Sequence, residues 1–486
     1  MPMEPRKSRR VNRFQLQPEP CSHGPYAGYT GLDRINSAAR KNPSLVFANL
    51  LHHLSEANLR QAFRQLDGSK AVGIDQVTKQ DYQKNLDSNL AQLAEEISRG
   101  GWRPRPAREV LIPKASGGTR PLAIGCLENK LIQLLCAKIL EAVYEDSFHR
   151  HSYGFRPQRN PHQAIARLYS VLRERQENSW VVEMDIEKFF NSVDHERLIE
   201  ILSQRIEDGH FLRLIRRMLR NSILSEEGEI RRTEKGTPQG APISPILANI
   251  YLHFCLDLWF EENWGAQGQM VRYADDAVFV FTCPEKAAQF KEALAQRLQE
   301  FGGLKLNEDK SGLLRFDCHQ PQGPLPFLGF QLYWGRNYRN KSKPQLKIKT
   351  EPKKLAKAVT QFTDWIRAQR CRKRLDDLWT LAAAKFRGHY SYYGVSFNLG
   401  KLNHFYFACI QALLKWLNRR SQKQSFTQER FARRLRFKPL PKPSGAQLVD
   451  ITLGLVTGSK HKTKSRMRKL RTYGSERSPG LSPVFT

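Results

Sequence analysis

Paired cysteines are missing from this chain. Its eight cysteines (Cys21, Cys126, Cys136, Cys255, Cys283, Cys318, Cys371 and Cys409) are scattered, and no two lie closer than ten residues. With no CxxC pair, a zinc knuckle or a Cys-based nuclease finger is excluded, and reduced thiols in a cytosolic protein are expected. Long apolar runs are missing too: none approaches the roughly 18 residues that a membrane-spanning helix needs. The opening stretch MPMEPRKSRRVNRFQ is basic but holds no apolar segment, so no secretory signal is expected. Pro2, Glu4 and Pro5 argue against an organellar transit peptide. Acids are scarce. Lys plus Arg outnumber Asp plus Glu by 79 to 47, a net charge of +32. Self-repulsion on that scale destabilises a compact monomer unless a polyanion neutralises it, which makes nucleic acid the expected partner.

What is present suits a chain of two or three domains. It has 486 residues, 40% of them hydrophobic and 10% aromatic, enough for real cores. Residues 1–42 are polar, basic and rich in Pro and Gly, and read as a tail that orders only on a partner. The stretch REVLIPKASGGTRPLAI (108–124) predicts a hairpin around a Gly-Gly turn, carrying Lys114 and Arg120. LENKLIQLLCAKILEAVYE predicts a helix, and RNPHQAIARLYSVL another, with Asn160 as N-cap and Pro161 at the first helical position. In SWVVEMDIEKFFNSVDHERLIEIL the period switches from a strand over 181–186 to a helix capped by Asp194. A turn-rich block, GTPQGAPISP, leads into a helix, then a hairpin around YADD, a helix over 286–301, and GLKLNEDKSGLLRF. This order is α+β. Residues 352–420 read as all-helical and basic, with interleaved aromatics assigned mostly to a core. In KHKTKSRMRKLR (460–471), Lys460, Lys462, Lys464, Arg466, Arg468, Lys469 and Arg471 stand with no acid among them, a block suited to phosphate.

The segment MVRYADDAVFVF (270–281) sets Asp275 and Asp276 side by side between strand-forming runs. A turn is one reading, because Asp is a common turn residue. A site for hard cations is the other. A third acid, Asp185, ends the strand VVEMD, where a helix cap is the plain alternative. If the strands are neighbours, three carboxylates converge, and they cannot all ionise in an apolar sheet without cations. Two Mg²⁺ ions clamping an in-line phosphoryl displacement are the known solution. Lys114 and Arg120 would then neutralise the remaining phosphate charge.

Taken together, GIDQVT, LIPKASGGTRPLAI, SYGFRPQRNPHQA, MDIEKFFNSVDH, GTPQGAPISPILANIYLH, VRYADD, LNEDKS, FLGF, RGHYSYYG and WLNRRSQKQSF resemble a bacterial group II intron-encoded reverse transcriptase and maturase, in order, from about residue 45 to 475. The resemblance implies a right-hand polymerase: a basic tail (1–44), fingers (45–180), palm with an antiparallel sheet (181–345), helical thumb or domain X (346–425), and a basic DNA-binding tail (426–486). It implies Asp185, Asp275 and Asp276 as metal ligands, with the Ile186 carbonyl beside them, holding two Mg²⁺ ions that Mn²⁺ can replace. Lys114, Arg120, Gln239 and Gly240 would bind the incoming dNTP, and Phe190 would be the steric gate against a 2′-hydroxyl. Lys310 would protonate the leaving pyrophosphate, with a solvated loop lysine as the alternative. Phe327, Leu328 and Gly329 would support the primer end. The implied partners are intron RNA or another structured template, an RNA–DNA template–primer, target DNA and, as an option, a second copy of the chain. The setting would be the bacterial cytoplasm, on nucleoid or ribonucleoprotein. Asn191 stands where the family usually has an acid, Gln428 where it often has Trp, and no Cys-rich endonuclease block follows. A reverse transcriptase of the same lineage serving phage defence, CRISPR spacer acquisition or repair is the alternative role.

Overall fold

The computed structural model describes residues 26–453 apart from 114–117, 338–339, 341–342 and 421–425. The basic cluster from Lys460 to Arg471 therefore lies outside the described residues, as does Lys114.

Part of the stretch expected to be a tail is helical. Leu32–Lys41 is a helix, with Leu32, Ile35 and Ala39 buried at helical spacing against helix Leu127–Tyr144. That spacing was masked by the basic residues around it. Leu127–Tyr144 is buried on nearly every face and forms the spine of the fingers. Helix Pro161–Glu174 starts as expected: the Asn160 side chain accepts from the Gln163 backbone, and the Gln163 side chain answers at the Asn160 backbone.

The strands run β1 (Ala107–Pro113), β2 (Thr119–Ile124), β3 (Trp180–Met184), β4 (Ser222–Leu224), β5 (Ile230–Arg232), β6 (Gly268–Tyr273), β7 (Asp276–Phe281), β8 (Leu313–Arg315), β9 (Leu325–Phe327), β10 (Phe330–Arg336) and β11 (Pro344–Thr350). They form three sheets, ordered β2-β1-β4-β5, β6-β7-β3-β8 and β11-β10-β9. The first contains the expected hairpin, extended by β4 parallel to β1 and β5 antiparallel to β4. Strands β4 and β5 were not foreseen. They are three residues each, and β5 is exposed throughout, too short for a two-residue period to show. The second sheet is antiparallel throughout, the expected palm.

One apolar cluster runs from Tyr26 to Leu304, taking in fingers helices and the inner face of the palm through Val182, Met184 and Ile186. Residues on both sides of the boundary expected at 180/181 share this core. Val181, Val278 and Val280 point to the other face, the alternation a two-sided sheet imposes. Helices Pro352–Gln369, Leu375–Tyr393 and Leu399–Leu417 make a third core. There Trp379, Phe386, Phe405 and Tyr406 are buried, as the core reading of those aromatics required. Residues expected in the tail join it: Phe431, from helix Gln428–Phe437, is buried there, and Trp379 Nε1 donates to the Lys438 carbonyl at 2.7 Å.

Candidate active site

The palm register brings the three acids together. Strand β3 pairs with β7 up to Met184↔Ala277, so one step further along the antiparallel ladder sets Asp185 opposite Asp276. Asp275 occupies the two-residue turn between β6 and β7, which closes at Tyr273↔Asp276. Carboxylates nearly a hundred residues apart in sequence thus meet at one sheet end.

The backbone of Asp185 is fixed from the other side. Its N–H donates to Ser311 Oγ at 3.1 Å, and its carbonyl accepts from Asn307 N at 2.8 Å. Ile186 faces Leu306 in an isolated antiparallel bridge flanked by Glu187 N to Lys305 O at 2.8 Å. In such a non-hydrogen-bonded pair the residue's own carbonyl points away from its partner, here towards the side of β7. The loop LNEDKS therefore acts as a splint for the first acid, a role the sequence reading did not assign to Asn307 or Ser311.

Lys310 Nζ lies 3.1 Å from Asp185 Oδ2, with the lysine side chain 64% exposed. Asp276 is exposed at the mouth of the cleft yet crowded by protein atoms. Desolvation, with the charges of Asp275 and Asp185, pushes its pKa up to about 6, while Lys310 and Lys354 pull it down. Among the described residues no three His, Cys, Asp or Glu side chains already close into a metal cage. The donor set nonetheless fits hard cations: the acids are oxygen donors with unbalanced charge, and one of them is paired with an exposed lysine.

Phe190 sits in a short helix, Phe189–Ser192, entered through a left-handed Lys188. The GTPQG loop supports it. Thr237 N donates to the Phe190 carbonyl at 2.6 Å and Gly236 N to Val193 O at 2.7 Å. A Cβ on Gly236, whose φ is +85°, would fall 2.7 Å from the Phe190 carbonyl oxygen, so the close approach requires glycine there. Gln239 Nε2 donates to Asn191 Oδ1 at 2.9 Å. Its carbonyl accepts from Ala123 N at 3.0 Å, which ties this loop to β2. Gly240 packs against Leu122 in the same strand. Phe190, Asn191, Gln239, Pro121 and Ala123 line a cavity of about 300 Å³ between palm and fingers. Arg120 pairs with Ile112 in the hairpin beside it.

Phe327, Leu328 and Gly329 form the β9–β10 hairpin, seated on the thumb. Tyr392 Oη donates to the Leu328 carbonyl at 3.0 Å. Burial pushes the Tyr392 pKa up to about 12, with Tyr393, Tyr273 and Asp276 adding to it. The thumb tyrosine that braces this hairpin thus lies within the field of Asp276.

Comparison with known proteins bears on what this cleft does. The family model for reverse transcriptase (RNA-dependent DNA polymerase) matches residues 112–332, the stretch that carries every acid described above. Protein YkfC of Escherichia coli K12 is 32% identical over 314 residues, 57% of this chain and 82% of that protein. The chain belongs to the reverse transcriptase family. Within that family it is related to proteins encoded in introns. The group II intron-encoded protein LtrA of Lactococcus lactis is 34% identical over 224 residues, 46% of this chain and 37% of LtrA. A 91 kDa protein in the cob intron of Schizosaccharomyces pombe is 46% identical over 148 residues, 30% of this chain and 18% of that protein. This reverse transcriptase thus spans about a third or less of the length of both intron proteins. A solved telomerase from Candida albicans, in complex with a fragment of telomeric RNA, aligns at a TM-score of 0.39 with 14% identity, over 72% of this chain and 64% of that one. That likeness is too loose to bear on the site. Among the described residues no helix is long and apolar enough to cross a membrane.

Proposed function

We propose that this reverse transcriptase copies RNA into DNA by two-metal phosphoryl transfer in the cleft between palm and fingers, and that it serves a group II intron by binding the intron RNA and assisting its splicing. The observation that carries the chemistry is the register that sets Asp185 opposite Asp276 with Asp275 beside them. Divalent ions held by these three carboxylates and the Ile186 carbonyl would supply the Lewis acidity that activates a primer 3′-hydroxyl and neutralises the triphosphate. Lys310, paired with Asp185 here, would donate a proton to the leaving pyrophosphate. Phe190 forms the floor under the sugar of the incoming nucleotide in the 300 Å³ cavity, and Gln239 and Gly240 border its base and sugar. Lys114 and Arg120 carry the triphosphate. The Phe327–Gly329 hairpin, braced by Tyr392, supports the primer end. The relation to LtrA favours intron RNA as the template.

The decisive experiment is primer extension on an RNA template by Asp275→Asn. Loss of charge stabilisation at the reacting phosphate should lower the rate by about a thousandfold or more, with intron RNA binding retained. Extension at the parental rate would remove the metal assignment. Phe190→Val, assayed beside it, should raise ribonucleotide use relative to dNTP use by about tenfold or more. An unchanged ratio would take Phe190 out of the gate role.

A further inference from the structure

Arg272 is the largest side chain that is fully buried, at 0% exposure, and it sits three residues before Asp275. Its guanidinium makes a two-pronged pair with Asp257: Nε to Oδ1 at 2.7 Å and Nη2 to Oδ2 at 2.5 Å. The remaining nitrogen, Nη1, donates to Asn249 Oδ1 at 3.2 Å and to the carbonyl of Ala274 at 2.9 Å. Ala274 is the left-handed residue of the Asp275–Asp276 turn, at φ +57°. A buried ion pair adds little stability over apolar side chains of the same volume, so stability alone does not explain this one. What an apolar side chain could not do is hold the Ala274 carbonyl.

The helix that supplies the partners is built for the task. Asn249 ends up on the face of Asp257, eight residues later. In a regular α-helix those two would point about 80° apart. Between them, His253–Asp257 is a π-helical turn, which absorbs one extra residue and reduces the divergence to roughly 20°. Asn249 also donates from Nδ2 to the Gly154 carbonyl at 2.7 Å. Gly154 in turn lies flat against the turn, where an added Cβ would come within 2.3 Å of Ala274 N. The backbone on either side is locked as well: Arg272 N donates to His151 O, and Tyr153 N to Arg272 O, each at 2.9 Å. Burial alone would lift the Asp257 carboxyl, but the Arg272 charge and the nearby His253 ring hold it well below the usual carboxylate range.

We propose that Arg272, with Asp257 and Asn249, is a positioning device that fixes the Ala274 carbonyl and thereby sets the angle at which Asp275 and Asp276 enter the cleft. This rests on the reading of those two acids as the metal-binding pair. The geometry assigns Arg272 no contact with substrate; it acts through the turn.

The test uses the full chain with Arg272→Lys, which keeps the charge but cannot donate to Asp257 and Ala274 together. Its kcat for primer extension should fall by about tenfold to a hundredfold, while KM for dNTP and for template–primer stays within about twofold. Mn²⁺ binding to the protein without nucleic acid, followed by electron paramagnetic resonance, should weaken several-fold. Asn249→Ala, which leaves the ion pair in place, should shift both readouts in the same direction and decides the matter if Arg272→Lys does not fold. Parental kcat in a folded variant overturns the proposal. So does a loss confined to KM, or a fall in kcat with unchanged Mn²⁺ affinity. Asp275→Asn runs in parallel. If it remains active, the metal reading itself has failed; if it is inactive while Arg272→Lys is normal, only the positioning role falls.

Discussion

Two hairpins of this protein turn in two residues, and they do so by different means. The β9–β10 turn puts both central residues, Leu328 and Gly329, at positive φ, as the turns that match strand twist demand, and spends a glycine on one of them. The β6–β7 turn puts only its first central residue there, and that residue is Ala274, at a position where such hairpins favour glycine. The first turn has a glycine where its second central residue calls for one, and Tyr392 Oη and Glu351 N also hold its two carbonyls. In the second, the left-handed alanine is imposed from outside, by the Arg272 guanidinium on its carbonyl and by the Gly154 backbone against its nitrogen. A strained residue persists only where its surroundings over-determine it. The turn that carries the acids is the one with no glycine to relieve it, so its shape rests wholly on tertiary contacts.

The largest expected effect comes from breaking the clamp. In Gly154→Ala, a methyl would have to occupy a point 2.3 Å from Ala274 N and 2.9 Å from the Tyr273 carbonyl carbon. Both are backbone atoms, so the strand or the turn has to move. A displacement of about 1 Å at a reacting centre costs on the order of a hundredfold, and primer extension at saturating substrate should fall by at least that much. A parental rate would show that the turn holds its shape without the clamp.

The same contrast explains how much was legible in the sequence. The Asn160 and Asp194 caps, the fingers hairpin and the three-helix thumb follow from local signals, and each lies where the residues put it. The convergence of Asp185 with Asp275 and Asp276 was legible too, since acids at two strand ends meet once the strands are neighbours. Gly154, Asn249 and Asp257 were not. Their value lies in contacts across more than a hundred residues for Gly154 and Ala274, and in a π-turn that no apolar period announces. Helix Leu32–Lys41 and the docking of Phe431 were missed for another reason: isolated apolar residues in a basic stretch look like a tail until a partner core is known.

A second expected effect concerns charge. In the absence of metal the Asp276 pKa is raised, from an ordinary value near 4 to about 6. The folded protein then holds a proton that the unfolded chain has lost between those values, so stability falls as pH rises from about 4 to 6 and is level above. Asp276→Asn should abolish that decline and leave the metal-free protein more stable at neutral pH. The gain is only about 1 kcal/mol once solvent screening at this exposed carboxylate is allowed for. Thermal melts between pH 4 and 8, with and without Mg²⁺, check it. In the parental protein Mg²⁺ should raise the melting temperature above pH 6 and do progressively less below it, because protonated Asp276 is no ligand. A melting curve indifferent to both pH and Mg²⁺ would mean the acids are not strained against one another.

The smallest effects separate the two turns most cleanly. Gly329→Ala adds a methyl at φ +77°, with Tyr393 Oη 3.1 Å from it. The left-handed penalty for a residue with a Cβ is about 1 kcal/mol, and the hydroxyl can give way. The protein should therefore melt a few degrees lower, while kcat at saturating template–primer stays within about twofold and any loss at this primer-supporting hairpin falls on KM for template–primer. Ala274→Gly is the mirror experiment. It removes the left-handed penalty from the folded state but adds backbone freedom to the unfolded one, and these contributions are similar in size. Its melting temperature should hardly move. The catalytic turn, however, loses the side chain that restricts it, and the acids gain room to wander, so kcat should fall by several-fold. Stability would then change without rate at one hairpin, and rate without stability at the other. If Gly329→Ala lowered kcat as much as Ala274→Gly does, both turns would be setting the geometry of the cleft, and the division between a turn eased by its own glycine and one held wholly from outside would not stand.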